Sequence, residues 1–81
     1  MIMVSQDKKN ILNFNNISNL TLNETKGQGE YSAIVCFTND GRKIILASYY
    51  SIQRGKEVFE QIIDFLSTAK EHNSIFVFEK E

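Results

Sequence analysis

Few side chains in this chain are of a type that does chemistry, and their spacing sets them apart from one another. The single histidine, His72, has no Cys, Asp or Glu at metal-ligand spacing and reads as a solvated cation near a helix end. The single cysteine, Cys36, lies between Val35 and Phe37, with no base nearby to make it a nucleophile. It reads as a small buried hydrophobe, and one cysteine excludes an intramolecular disulfide. Glu57, Glu60 and Asp64 stand three and four apart, which places carboxylates on one helix face, as acid–base pairs require. That face lies opposite the helix's apolar stripe, so solvated surface is the reading taken. Ser48 and Ser51 have no base in sequence range. Gly27-Gln28-Gly29 lacks the strand-to-helix context of a phosphate cradle and reads as a hairpin tip. The suggestive pair is Tyr49-Tyr50. Consecutive strand residues point to opposite faces, so one tyrosine packs inward while the other stands out. An outward Tyr50 beside Arg42 or Lys43 has the chemistry to stack on a base or anchor an interface.

The elements that position these residues are written in the hydrophobic pattern. Residues 31–37 and 43–50 form two β-rich runs joined at Asn39-Asp40-Gly41, a hairpin signal whose glycine supplies positive φ. Both runs are apolar on both faces. Simple alternation puts Ala33, Val35, Phe37, Ile45, Ala47 and Tyr49 on one face. Ile34, Cys36, Ile44, Leu46 and Tyr50 fall on the other. Upstream, residues 2–5 read as a short strand. Residues 10–22 read as one long strand bent at Asn15-Asn16, and residues 23–30 as a loop. Ser51 is a natural N-cap for a helix over residues 52–72. Its stripe runs through Ile52, Gly55, Val58, Phe59, Ile62, Ile63, Leu66 and Ala69, with Lys70, His72 and Asn73 closing its C-terminus. Gly55 there implies close packing of the first turn on the sheet. A short strand, 75–78, precedes the charged tail and should run antiparallel to the first strand.

Eighty-one residues correspond to a single domain, 1–81, with a small core and stability near the low end of the usual ~5–15 kcal/mol. Nine basic and ten acidic residues give a net charge of −1, without the basic stripe that a phosphate backbone calls for. No apolar run reaches the length of a membrane span and no signal-peptide pattern opens the chain, so a cytoplasmic setting is expected.

Several segments together resemble small uncharacterised proteins of low-GC Gram-positive bacteria and their phages. They are Ile2-Met3-Val4-Ser5-Gln6-Asp7-Lys8, the pair Leu12-Asn13, the strand from Gly41 to Tyr49, the helix with Val58, Phe59 and Ile62-Ile63, and the terminal aromatic strand. The resemblance implies a phage- or prophage-associated cytoplasmic setting. It carries no activity and no site residues.

The expected fold is α+β: a mostly antiparallel sheet or small roll of five to six short strands, ordered β-β-β-β-α-β, with one packed helix. A pleckstrin-homology-like roll is the alternative. The expected core is Val35, Phe37, Ile45, Ala47, Val58, Phe59, Ile62, Ile63 and Leu66. No catalytic constellation, cofactor motif or metal-ligand set is present, so a non-enzymatic protein-binding or assembly module is expected. One helix covers one sheet face; the face with Ile34, Cys36, Ile44, Leu46 and Tyr50 is then the candidate interface of a homodimer. The alternative is a single-stranded nucleic-acid-binding protein using Lys26, Arg42, Lys43 and Tyr50.

Overall fold

The turn at Asn39-Asp40-Gly41 forms as its residue types dictate. Gly41 takes φ +90°, and Thr38 N–H donates to the Arg42 carbonyl across the turn at 2.8 Å. The Thr38 hydroxyl bonds the Asp40 carboxylate and accepts from Arg42 N–H at 3.0 Å, so side chains lock what glycine permits. The computed structural model of the chain describes residues 1–68 and 74–80. Its strands are β1 (Ile2–Val4), β2 (Ile11–Asn13), β3 (Ile17–Thr25), β4 (Tyr31–Thr38), β5 (Lys43–Tyr49) and β6 (Ile75–Val77); the helix α1 (Ile52–Thr68) lies between β5 and β6. The fold is α+β, with two three-stranded sheets, β2-β1-β6 and β3-β4-β5. The expected helix residues 69–72 and the cap at Asn73 lie outside the described residues.

Four expectations are corrected. Residues 10–22 do not form one bent strand: a 3-10 turn, Phe14–Asn16, divides β2 from β3 and sends them into different sheets. The Asn13 side chain caps that turn by accepting from Asn15 N–H at 3.0 Å. β3 also continues to Thr25, into residues read as loop. The terminal strand does pair with the first, but in parallel, with Met3 opposite Phe76. A change of direction at the 3-10 turn breaks the alternation on which antiparallel pairing was reasoned.

The largest correction concerns sheet faces. On β4, Ile34 and Cys36 pair with Leu22 and Leu20 of β3, and all four face the helix. The register between β4 and β5 slips between Ile34 and Val35: Ile34 opposes Ala47, but Val35 opposes Ile45, leaving Leu46 as the extra residue of a bulge. The bulge changes which residues of β5 point inward. Ile44, Leu46, Ala47 and Tyr49 all join the core with Ile34, Cys36, Met3, Phe78, Val58 and Ile62. Of the expected core, Val35, Ala47, Val58 and Ile62 are buried, and Phe59 and Leu66 pack against the core from its margin. Phe37, Ile45 and Ile63 are exposed by 39%, 55% and 50% and fall outside it. On the helix, Phe65 takes the place expected for Ile63, packing edge-on to Phe76 at 5.4 Å between ring centroids.

The helix start follows its sequence. Ser51 Oγ accepts from Arg54 N–H at 3.1 Å, and Gly55 sits so close to β4 that an added Cβ would stand 2.6 Å from Ser32 Cβ. Ser32, fully buried, donates its hydroxyl to the Ser51 carbonyl at 2.7 Å, tying strand and cap together. Gln6 closes the two sheets on each other. Its N–H donates to the Leu46 carbonyl at 2.7 Å and its Oε1 accepts from Ser48 N–H at 3.0 Å, as a neighbouring strand would do along the β5 edge.

Candidate interaction surface

With α1 on the Ile34/Cys36 side, the opposite side of β3-β4-β5 is assembled by register alone. Asn19, Phe37 and Lys43 form one row across the three strands, and Thr21, Val35 and Ile45 the next. Asn23, Ala33 and Ser48 follow, and Thr25 and Tyr31 close the face at the loop end. Val35 and Ala33 make its buried floor. Phe37 and Ile45 rise from it, and Tyr31 packs edge-on against Tyr50 with centroids 6.1 Å apart. Tyr50 is the most exposed large apolar side chain, at 84%, whereas Tyr49 is buried, with the Arg54 guanidinium 6.0 Å from its ring. The inward–outward division of the tyrosine pair is therefore as the strand period requires. Depressions of about 290 Å³, between Asp7 and Ile45, and 360 Å³, between Tyr50 and Lys80, border this face along the edge held by Gln6.

The interface residues inferred from alternation are distributed differently. Ile34, Cys36 and Leu46 are buried beneath the helix, and Ile44 is half-buried against the same core. Of the five, Tyr50 is exposed, and it belongs to the face of Phe37 and Ile45. Burial pushes the Cys36 thiol above its ordinary range, which keeps it protonated and unreactive at neutral pH. The nucleic-acid residues are divided between the two ends of the sheet. Lys26 and Tyr50 sit at the loop end, near Tyr31; Arg42 and Lys43 sit at the turn end. Six residues of strand separate the ends, roughly 20 Å. Arg42 is moreover paired with Asp40 at 3.2 Å. Tyr50 thus stands beside Tyr31, not beside Arg42 or Lys43.

The carboxylates of the helix, Glu57, Glu60 and Asp64, are exposed, and Glu57 pairs with Arg54 at 3.7 Å. No group of three metal-ligating side chains occurs among the described residues, and no described helix is long and apolar enough to cross a membrane. Comparison with models of known families, with curated proteins and with solved structures finds no match.

Proposed function

We propose that this chain is a non-enzymatic protein-binding or assembly module that self-associates as a homodimer through the outer face of β3-β4-β5. The observation that carries the reading is the apolar outer face itself, with Phe37 and Ile45 exposed toward its turn end, the Tyr31–Tyr50 pair exposed at its loop end, and no described element lying over it. At ~200 Å² for each such side chain in full exposure, the four together hold about 430 Å² of apolar surface in water. That is a sizeable fraction of the ~800 Å² per partner in a stable interface. The polar rows of Asn19, Asn23 and Thr25 supply a rim of the usual composition.

A second copy suits this face because a twofold interface needs a projection and a recess on the same surface. Tyr50 is the projection, and the depression between it and Lys80 is the recess. Two such sheets stack ~10 Å apart with their strands near −30°. The resemblance to phage and low-GC Gram-positive proteins supports a cytoplasmic, phage- or prophage-associated role. Light scattering at ~100 µM tests the reading, since micromolar association is saturated there. A dimer mass supports it, and a monomer mass rules it out.

A further inference from the structure

A second surface differs in kind, because its unfilled positions are backbone groups. The ladder between β1 and β2 is bracketed by Ser5 N–H donating to the Asn10 carbonyl and Phe14 N–H donating to the Met1 carbonyl, both at 2.9 Å. Hydrogen-bonded pairs in an antiparallel ladder recur every second residue, so Leu12 faces β1 while Ile11 and Asn13 turn their backbone groups the other way. The far side of β1 has the same phase: Val4 and Ile2, opposite Ile11 and Asn13, bond toward the C-terminal segment through Phe78 N–H and the Ser74 carbonyl. The Asn13 carbonyl accepts the first bond of the 3-10 turn that it caps. The Ile11 N–H, the Ile11 carbonyl and the Asn13 N–H are left along the outer edge of β2 with no backbone partner among the described residues.

That edge opens on a cavity of about 340 Å³, whose opposite wall is Thr38, Asn39, Asp40 and Arg42. The wall is held before any ligand arrives. Asn39 donates its N–H to the Asn16 carbonyl at 2.8 Å and its Nδ2 to the Asn15 carbonyl at 3.0 Å. Asp40 and Arg42 present one charge of each sign, 64% and 68% exposed, so the wall selects for neither. The Ile11 side chain, 73% exposed, stands at the mouth.

We propose that the free edge of β2 is a peptide-binding site that takes a short extended segment of another protein as an added strand, with a β-branched or aromatic residue beside Ile11. Three backbone groups at ladder spacing recognise extended backbone, whatever its sequence. The cross-strand neighbour of an exposed isoleucine is best filled by a β-branched or aromatic side chain. A short segment fits where a folded sheet edge does not: the cavity that β2 shares with residues 38–42 holds about 340 Å³, room for a few residues of chain and not for a further strand behind them. This site uses the edge of β2 and meets the outer face of β3-β4-β5 only at the turn of residues 38–42, and neither reading depends on the other.

The test is a titration of ¹⁵N-labelled protein with a capped seven-residue peptide of alternating threonine and valine between terminal lysines, followed by amide chemical shifts. The expected result is saturable shifts at Ile11, Asn13 and residues 39–42, with a dissociation constant on the order of 1 mM or below. The same peptide N-methylated at every internal residue should bind about tenfold more weakly, having lost the donors of both its edges. Ile11→Pro removes an N–H that β1 does not use, and it should weaken binding comparably in a folded protein. If that variant does not fold, the N-methylated peptide decides. The proposal is overturned by no shift at Ile11 and Asn13 up to about 2 mM peptide, or by equal binding of the N-methylated peptide. Shifts confined to the β3-β4-β5 face overturn it too. So do shifts at Ile11 that follow protein concentration without peptide, which assign the edge to a second copy.

Discussion

Neighbouring residues of β5 have opposite fates, and the bulge decides which. Leu46 is 1% exposed and Ile45 is 55% exposed. A glutamate at Leu46 puts an unpaired carboxylate into the core beside Val58 and Ile62. That costs several kcal/mol, comparable with the whole stability of so short a chain. Leu46→Glu should therefore be unfolded by circular dichroism at neutral pH. Ile45→Glu ends in water and should change the unfolding free energy of the monomer in urea by no more than about 0.5 kcal/mol. Unfolding by both substitutions would show that the outer face is part of the core. Two carboxylates set a dependence on acid. The Ser5 hydroxyl, then Lys9 N–H, hold Asp7 below the ordinary carboxylate range; the Thr38 hydroxyl and then the Arg42 charge do the same for Asp40. Because each pKa is lower in the folded chain than in the unfolded one, the unfolded chain binds more protons as the pH drops. Both contributions are complete above the unfolded value of 3.8 and are lost as the pH falls through the folded values. The melting temperature should hold from pH 7 to about 5 and fall below 4, and Asp7→Asn with Asp40→Asn should flatten that fall.

At the scale of elements, the start of α1 shows local sequence and tertiary packing in agreement. Alanine at position 55 gains up to ~1 kcal/mol of helix propensity. Its Cβ would lie 2.6 Å from Ser32 Cβ, on a strand fixed by neighbours on both sides. The overlap outweighs the propensity, so Gly55→Ala should lower stability by about 2 kcal/mol in urea unfolding, and Ser32→Gly in the same chain should recover part of it. A stabilised Gly55→Ala would mean that the helix is free to move off the sheet. The serine cap, the tight glycine and the Asn39-Asp40-Gly41 turn were all legible in the sequence, because each is decided within a few residues. The sheet faces were not. A strand apolar on both sides carries no phase, so the pattern of β4 and β5 cannot say which residues meet the helix, and the bulge at Leu46 reverses the parity along β5. The direction of β6 and the role of Gln6 were equally hidden. The first depends on a 3-10 turn far away in sequence, and the second is a polar residue whose partners, Leu46 and Ser48, come from another sheet.

The whole molecule measures 41 × 27 × 20 Å, and it places its two surfaces on different parts of the fold. The edge of β2 belongs to the sheet built on β1; the apolar face belongs to the sheet built on β4. A dimer through the outer face of β3-β4-β5 would present two copies of the β2 edge, each beside the turn of residues 38–42 that adjoins Phe37 and Lys43 of that face. Association that requires the folded face also couples stability to concentration. Whatever binds the native state and not the unfolded one raises stability by RT ln(1 + [L]/Kd), here with a second copy as the ligand. Between ~1 and ~100 µM protein, a micromolar dimer gains about 2 kcal/mol, which for a chain of this size is a rise of about 10 °C in melting temperature. Ile45→Glu puts a carboxylate into the apolar face of each copy, where a twofold interface would bury it, so its melting temperature should be the same at both concentrations. The unmodified chain and the variant should then agree at ~1 µM and diverge at ~100 µM. A concentration-independent melting temperature in the unmodified chain removes the dimer, and dependence that persists in Ile45→Glu moves the interface elsewhere on the surface.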